Sequence, residues 1–92
     1  MVTVRIPKVL GKYASGLEFI EVDGSTIDEV LQAVVDEHPD LEIRLLDDEG
    51  QFHPHLSLFV DGKLVARADH ATWPVEADAR IDVLIGIVGG AH

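Results

Sequence analysis

One stretch of this chain, residues 26–37, carries convincing helical periodicity, while Val2-Val4-Ile6, Leu56-Leu58-Val60 and residues 80–85 alternate as strand residues do. Ile27, Val30, Leu31 and Val34 fall at i, i+3, i+4 and i+7, a single apolar stripe. Thr26 and Glu29 have the spacing of a capping box, in which each side chain is expected to satisfy a free backbone N–H of the other's residue. Asp28 and Glu29 complement the positive end of the helix dipole. Pro39 stops the helix, and His38 before it is pushed out of helical geometry. A lone helix with one apolar stripe needs a sheet to lie on.

The flanks supply that sheet. Val2, Val4 and Ile6 alternate with Thr3 and Arg5, and Pro7 closes the strand. After a connection containing Gly11 and Ser15-Gly16, residues 17–22 run extended to the Asp23-Gly24 turn, and the two strands are expected to form a hairpin. Residues 41–46 add one short helical turn, with Leu41, Leu45 and Leu46 covering the lower edge of the sheet. Leu56, Leu58 and Val60 form the next strand, Asp61-Gly62 is a strong hairpin turn, and residues 64–66 return as a short strand. A connection over 68–79, with Trp73 before Pro74 anchoring it to the core, leads to a final strand over 80–85. Strand, strand, helix, strand, short strand, strand predicts an α+β domain with one main helix across a mixed sheet, the order of the ubiquitin-like β-grasp.

Ninety-two residues suffice for one modest core, here assigned to residues 1–85, with a C-terminal tail over 86–92. Net charge is −10 and no basic run exists, which disfavours binding to nucleic acid and makes a basic protein surface the natural partner. No cysteine is present, so disulfides, thiol nucleophiles and thiolate metal sites are excluded. The opening Met1-Val2-Thr3-Val4-Arg5 has no secretory character, and no apolar run reaches membrane-spanning length. A cytoplasmic protein is expected.

The tail, Gly86-Ile87-Val88-Gly89-Gly90-Ala91-His92, follows a core strand directly. Gly89 and Gly90 have no side chains with which to extend a sheet favourably, so the tail reads as a slim peptide end; the plainer reading is a frayed terminus.

With the tail in view, the chain resembles the ubiquitin-like sulfur-carrier proteins (the MoaD/ThiS group), which include the small subunit of molybdopterin synthase, the thiamin carrier and the actinobacterial carrier of cysteine biosynthesis. The matching features are the Val2-Thr3-Val4-Arg5-Ile6-Pro7 opening, the Ser25-Thr26-Ile27 helix entry, Leu58-Phe59-Val60-Asp61-Gly62 and Gly89-Gly90. The opening and the long first connection resemble the cysteine-type carriers most. Ala77-Asp78-Ala79 stands where the family often has a Gly-Asp turn, and Ile85-Gly86 where it often has prolines. The resemblance implies a carrier, itself no enzyme and with no permanently bound cofactor, whose terminal glycine carboxylate is adenylated by an E1-like enzyme (MoeB/ThiF-like) using ATP. Sulfur then replaces AMP to give a thiocarboxylate for a sulfur-accepting biosynthetic enzyme. Only a glycine suits a narrow, enclosed active site. Here Ala91 and His92 follow Gly90, so a protease, of the JAMM metalloprotease type, is expected to cut between Gly90 and Ala91. Two other readings stay open: a ubiquitin-like modifier joined to lysines through Gly90, and a β-grasp interaction module whose Gly-Gly is incidental.

Strand parity suggests where partners dock. If Leu56, Leu58 and Val60 face the helix, Phe59 points outward; if Ile81, Val83 and Ile85 face the core, Leu84 also points outward. These two apolar side chains, rimmed by Asp61 and Asp82, form the expected docking patch, which the resemblance places on the face that binds the activating enzyme. His53 and His55 lie two apart but lack converging third and fourth ligands, so no metal site is expected, and the histidines read as exposed loop residues. Asp47-Asp48-Glu49 reads as a charged loop.

Overall fold

The computed structural model describes residues 1–86. Among these, five strands form one sheet in the order β2-β1-β5-β3-β4: β1 is Val2–Arg5, β2 Phe19–Val22, β3 Leu56–Val60, β4 Lys63–Leu64 and β5 Arg80–Ile85. The main helix, α1, spans Ile27–Glu37, and a single turn, α2, spans Glu42–Leu45. The central strands β1 and β5 are parallel and the other pairings antiparallel, which makes the sheet mixed. This is the ubiquitin-like β-grasp that the order of elements predicts.

The helix forms where its stripe and cap require it. Ile27, Val30, Leu31 and Val34 are at most 2% exposed, and they join Val2, Val4, Ile81 and Val83 of the central strands in one core. Each such side chain contributes on the order of 1.5–3 kcal/mol by leaving water. Thr26 caps the helix by accepting the Glu29 N–H at 3.2 Å. The reciprocal bond differs from a simple capping box: the Glu29 carboxylate accepts the N–H of Ser25, one residue further out, at 2.9 Å. Gly24 lies against the next turn of the helix, where a β-carbon would stand 2.7 Å from Val30 Cγ2.

Three local expectations need correction. The short return strand is Lys63–Leu64 rather than 64–66, because Val65 turns inward and is buried after donating its N–H to Leu58. Ile85, expected inward, is 59% exposed: its partner Leu56 is only half-buried, and the sheet runs past its apolar cover at this end. Among the histidines, His70 is buried at 3% exposure, packed edge-on against Phe52 with ring centroids 5.2 Å apart. Its carbonyl accepts the Asp28 N–H at 3.1 Å, which ties the 67–70 turn to the start of α1. Leu41 and Leu45 are fully buried and Leu46 half-buried, as the 41–46 reading requires.

Candidate docking face and tail root

The face of the sheet turned away from α1 is built by register. Arg5 pairs with Phe19 on one side and Asp82 on the other; Asp82 pairs with Phe59, and Phe59 with Leu64. Side chains at paired positions share a face, so Phe19, Arg5, Asp82, Phe59 and Leu64 form one row across all five strands. Leu84 lies two residues along β5 from Asp82, opposite Ser57. Phe19, Leu64 and Leu84 are more than 40% exposed and Phe59 is half-buried. The row therefore presents apolar surface at both ends and charge in the middle.

The charges in that middle are paired. Arg80 Nε approaches Asp82 Oδ1 at 3.2 Å, Arg5 Nε approaches Glu18 Oε2 at 3.1 Å, and the Arg80 guanidinium lies 5.5 Å from the centre of the Phe19 ring. Partly exposed pairs of this kind contribute little stability; their effect is to leave the face nearly neutral. Asp82 sits at the centre of the face, between Arg5 and Phe59, and not on a rim. Asp61 lies in the hairpin turn at φ 49°, and its carboxylate is engaged by the Arg80 N–H at 2.9 Å. An acidic rim does not form, because the acidic surplus lies elsewhere. Between Asp23 and Glu49 the chain has ten acids and one base, so the helix side carries nearly all of the net charge.

Strand β5 ends beside this face. The Gly86 N–H donates to the His55 carbonyl at 2.8 Å, and the Ser57 hydroxyl donates to the Gly86 carbonyl at 2.7 Å. Gly86 has φ 115°, a left-handed value that residues with a β-carbon rarely adopt. Gly89, Gly90 and Ala91, expected as the sulfur-attachment and cleavage positions, lie outside the described residues. Parity reasoning missed the Ser57–Gly86 bond. A serine on the outward face of a strand, opposite the last residues before a glycine, was its only signal.

Of the remaining polar groups among the described residues, His53, His55 and Asp47 are engaged locally. His53 and His55 stack at 6.5 Å, and among the described residues no group of three or more ligands could hold a metal ion. An open cleft of about 620 Å³ beside Ile43 and His53 is bordered by Glu42, Asp47 and Asp48. Asp47 is turned into its own loop there: it accepts the Gln51 and Glu49 N–H groups at 2.9 Å each. These bonds, Gln51 first, hold its carboxyl below the usual range. At His70 burial lowers the pKa; neither ring nitrogen meets hydrogen-bond geometry, and the nearby Val65 backbone favours the cation too weakly to reverse the shift. None of the described helices is long and apolar enough to cross a membrane.

No family model matches the chain. Over 48 residues, 51% of its length, it is 35% identical to small archaeal modifier protein 1 of Haloferax volcanii, and the match spans 55% of that relative. Among solved structures it is similar to a chain of the Amycolatopsis orientalis BexX/CysO complex, 26% identical with a TM-score of 0.84, over 98% of this chain and 100% of that one. The crystal structure of SAMP1 from H. volcanii aligns with a TM-score of 0.75 at 25% identity, over 97% of this chain and 98% of that one.

Proposed function

We propose, from the premise that this chain is a ubiquitin-like β-grasp protein of the sulfur-carrier and modifier group, that it carries sulfur as a thiocarboxylate on Gly90. The observation that carries this reading is likeness over essentially the whole chain to a protein of the CysO kind, in a sequence that also has Gly89-Gly90 just beyond its last strand. Proteins of this group are small carriers or modifiers and not catalysts.

The chemistry runs through the chain end. A protease of the JAMM type removes Ala91-His92 by hydrolysis and frees the Gly90 carboxylate. An E1-like adenylating enzyme lets that carboxylate attack the α-phosphate of ATP; pyrophosphate leaves and an acyl adenylate forms. Hydrosulfide (HS⁻) then attacks the acyl carbon and expels AMP, and loss of the S–H proton leaves the thiocarboxylate for a sulfur-accepting biosynthetic enzyme in the cytoplasm. The chain contributes the slim, oriented acyl group and the docking surface, and the partner supplies ATP and the catalytic groups. Phe59, Leu84 and Asp82 supply that surface, with Asp61 shaping its edge. The similar A. orientalis structure is itself a complex with a partner, BexX, which supports a reading in which such domains act by docking.

Intact-mass spectrometry of the protein recovered from its native host tests this. Loss of Ala91-His92 with a gain of about 16 Da, the replacement of one carboxylate oxygen by sulfur, is the expected result. Full-length, unmodified protein while its partners are expressed would overturn it. The likeness to an archaeal modifier protein favours lysine conjugation as the second reading; high-mass species on denaturing gels that vanish in Gly90→Ala would support that reading instead.

A further inference from the structure

We infer that Ser57 is a positioning residue for the C-terminal tail; this rests on the carrier reading. Gly86 is held from both sides of its α-carbon. Its N–H is fixed to the His55 carbonyl at 2.8 Å and its carbonyl to the Ser57 hydroxyl at 2.7 Å. These two bonds fix the peptide units before and after Gly86, so they set φ and ψ there together and, with them, the direction in which the chain leaves β5. The φ of 115° is open to glycine, and nothing lies within 4 Å of where a β-carbon would be. The turn is therefore a backbone conformation open to glycine and secured, among the described residues, by these two hydrogen bonds.

Ser57 is suited to this by where β3 places it. It is 7% exposed, opposite Leu84 on the outer face of the sheet. A buried hydroxyl bonded to a backbone carbonyl resists exchange with water better than an exposed one. Other residues on this face, Phe59 and Leu84, offer apolar contact; Ser57 alone among the outward positions of β3 and β5 bonds the backbone of the tail root.

The consequence is geometric. Gly90 is four residues beyond Gly86, and four extended residues span at most about 14 Å. Chain length therefore bounds how far the reacting carboxylate can lie from Gly86, which follows Leu84 by two residues. A partner that grips this face finds the acyl carbon inside its reach, and the entropy of searching is reduced before binding. Releasing the carbonyl of Gly86 leaves the reach unchanged and removes the direction.

The test compares Ser57→Ala with Ser57→Thr, which keeps a hydroxyl on a strand-compatible side chain. Hydrogen exchange at the Gly86 amide is expected to quicken about fivefold or more in Ser57→Ala and to return to the wild-type rate in Ser57→Thr. In the native host the thiocarboxylate fraction is expected to fall several-fold in Ser57→Ala, with the melting temperature and the amount of co-purifying adenylating enzyme unchanged. A merely structural serine would move the melting temperature and leave that fraction in proportion to folded protein. Unchanged Gly86 exchange in Ser57→Ala overturns the inference, as does an unchanged thiocarboxylate fraction. If wild-type protein carries no thiocarboxylate, the carrier reading fails by itself, and anchoring of the tail root is judged on Gly86 exchange alone.

Discussion

Asp61 and Arg80 hold each other through both of their backbones: the Asp61 N–H donates to the Arg80 carbonyl at 2.8 Å, and the Asp61 carboxylate accepts the Arg80 N–H at 2.9 Å. The pair welds the β3–β4 hairpin to the start of β5. Asp61 also occupies φ 49°, a left-handed conformation that aspartate tolerates better than most residues. Asp61→Ala loses the carboxylate bond and strains the turn, and should cost about 1–2 kcal/mol in urea unfolding. Asp61→Asn, which keeps an acceptor and tolerates the same φ, should lose less than half as much. Equal losses would show that charge, and not turn geometry, carries the effect.

A second prediction concerns Gly24. A β-carbon there would lie 2.7 Å from Val30 Cγ2 and 2.9 Å from Val30 N. The valine methyl can turn only into a filled core, and the helix backbone cannot retreat without breaking the cap made by Thr26 and Glu29. Gly24→Ala should cost roughly 2–3 kcal/mol, a fall in melting temperature on the order of 10–20 °C for a domain of this size. Gly86→Ala meets nothing within 4 Å, so its cost is backbone strain at φ 115° alone, about 1–3 kcal/mol, with no steric term. A Gly24→Ala protein that melts like wild type would mean that the turn swings away from α1.

The docking face is testable by comparing two exposed apolar residues. Leu84 is 41% exposed on the outer face beside the tail root, and Ile43 is 71% exposed on α2, outside the row of sheet residues. Leu84→Asp should lower the cellular thiocarboxylate fraction at least tenfold while changing stability by less than about 0.5 kcal/mol, as surface substitutions do. Ile43→Asp should change neither. The face is close to neutral, so its recognition should depend less on salt than the charge of −10 suggests. Equal losses at both positions would place the partner surface elsewhere.

Much of this was legible in the sequence because periodicity is a local signal. The stripe Ile27, Val30, Leu31, Val34 had to be buried, and the alternation of β1, β3 and β5 gave their inward faces. The outward direction of Phe59 and Leu84 follows from parity alone. Parity fails where tertiary cover ends, as at Ile85, whose inward side meets water. It says nothing of register either, so Asp82 could be expected on a rim when it stands between Arg5 and Phe59 at the centre. His70 was misread as exposed because a polar residue in a connection gives no sign that the turn beneath it packs on Phe52. The Ser57–Gly86 bond joins residues 29 apart, a distance no local pattern spans.

His70 gives the fold a pH dependence whose sign can be worked out. Burial lowers its pKa from the ordinary 6.5. The Val65 backbone, Asp28 and Asp69 pull the value up and Arg67 pushes it down, but none of these outweighs burial. The unfolded chain therefore binds the proton first as pH falls, so stability is full above about pH 6.5 and declines progressively below it, until the lower folded pKa is passed. Asp47 acts in a separate window: its carboxyl is held below its ordinary value of 3.8, so the stability it contributes is lost only near and below that pH. Urea midpoints measured between pH 5 and 7.5 isolate the histidine. Wild-type protein should lose stability across that range toward pH 5, and His70→Leu, which fills the same apolar site without a titrating group, should flatten the slope. A variant with the wild-type slope would assign the proton uptake to another histidine and would mean that His70 reaches water in the folded state.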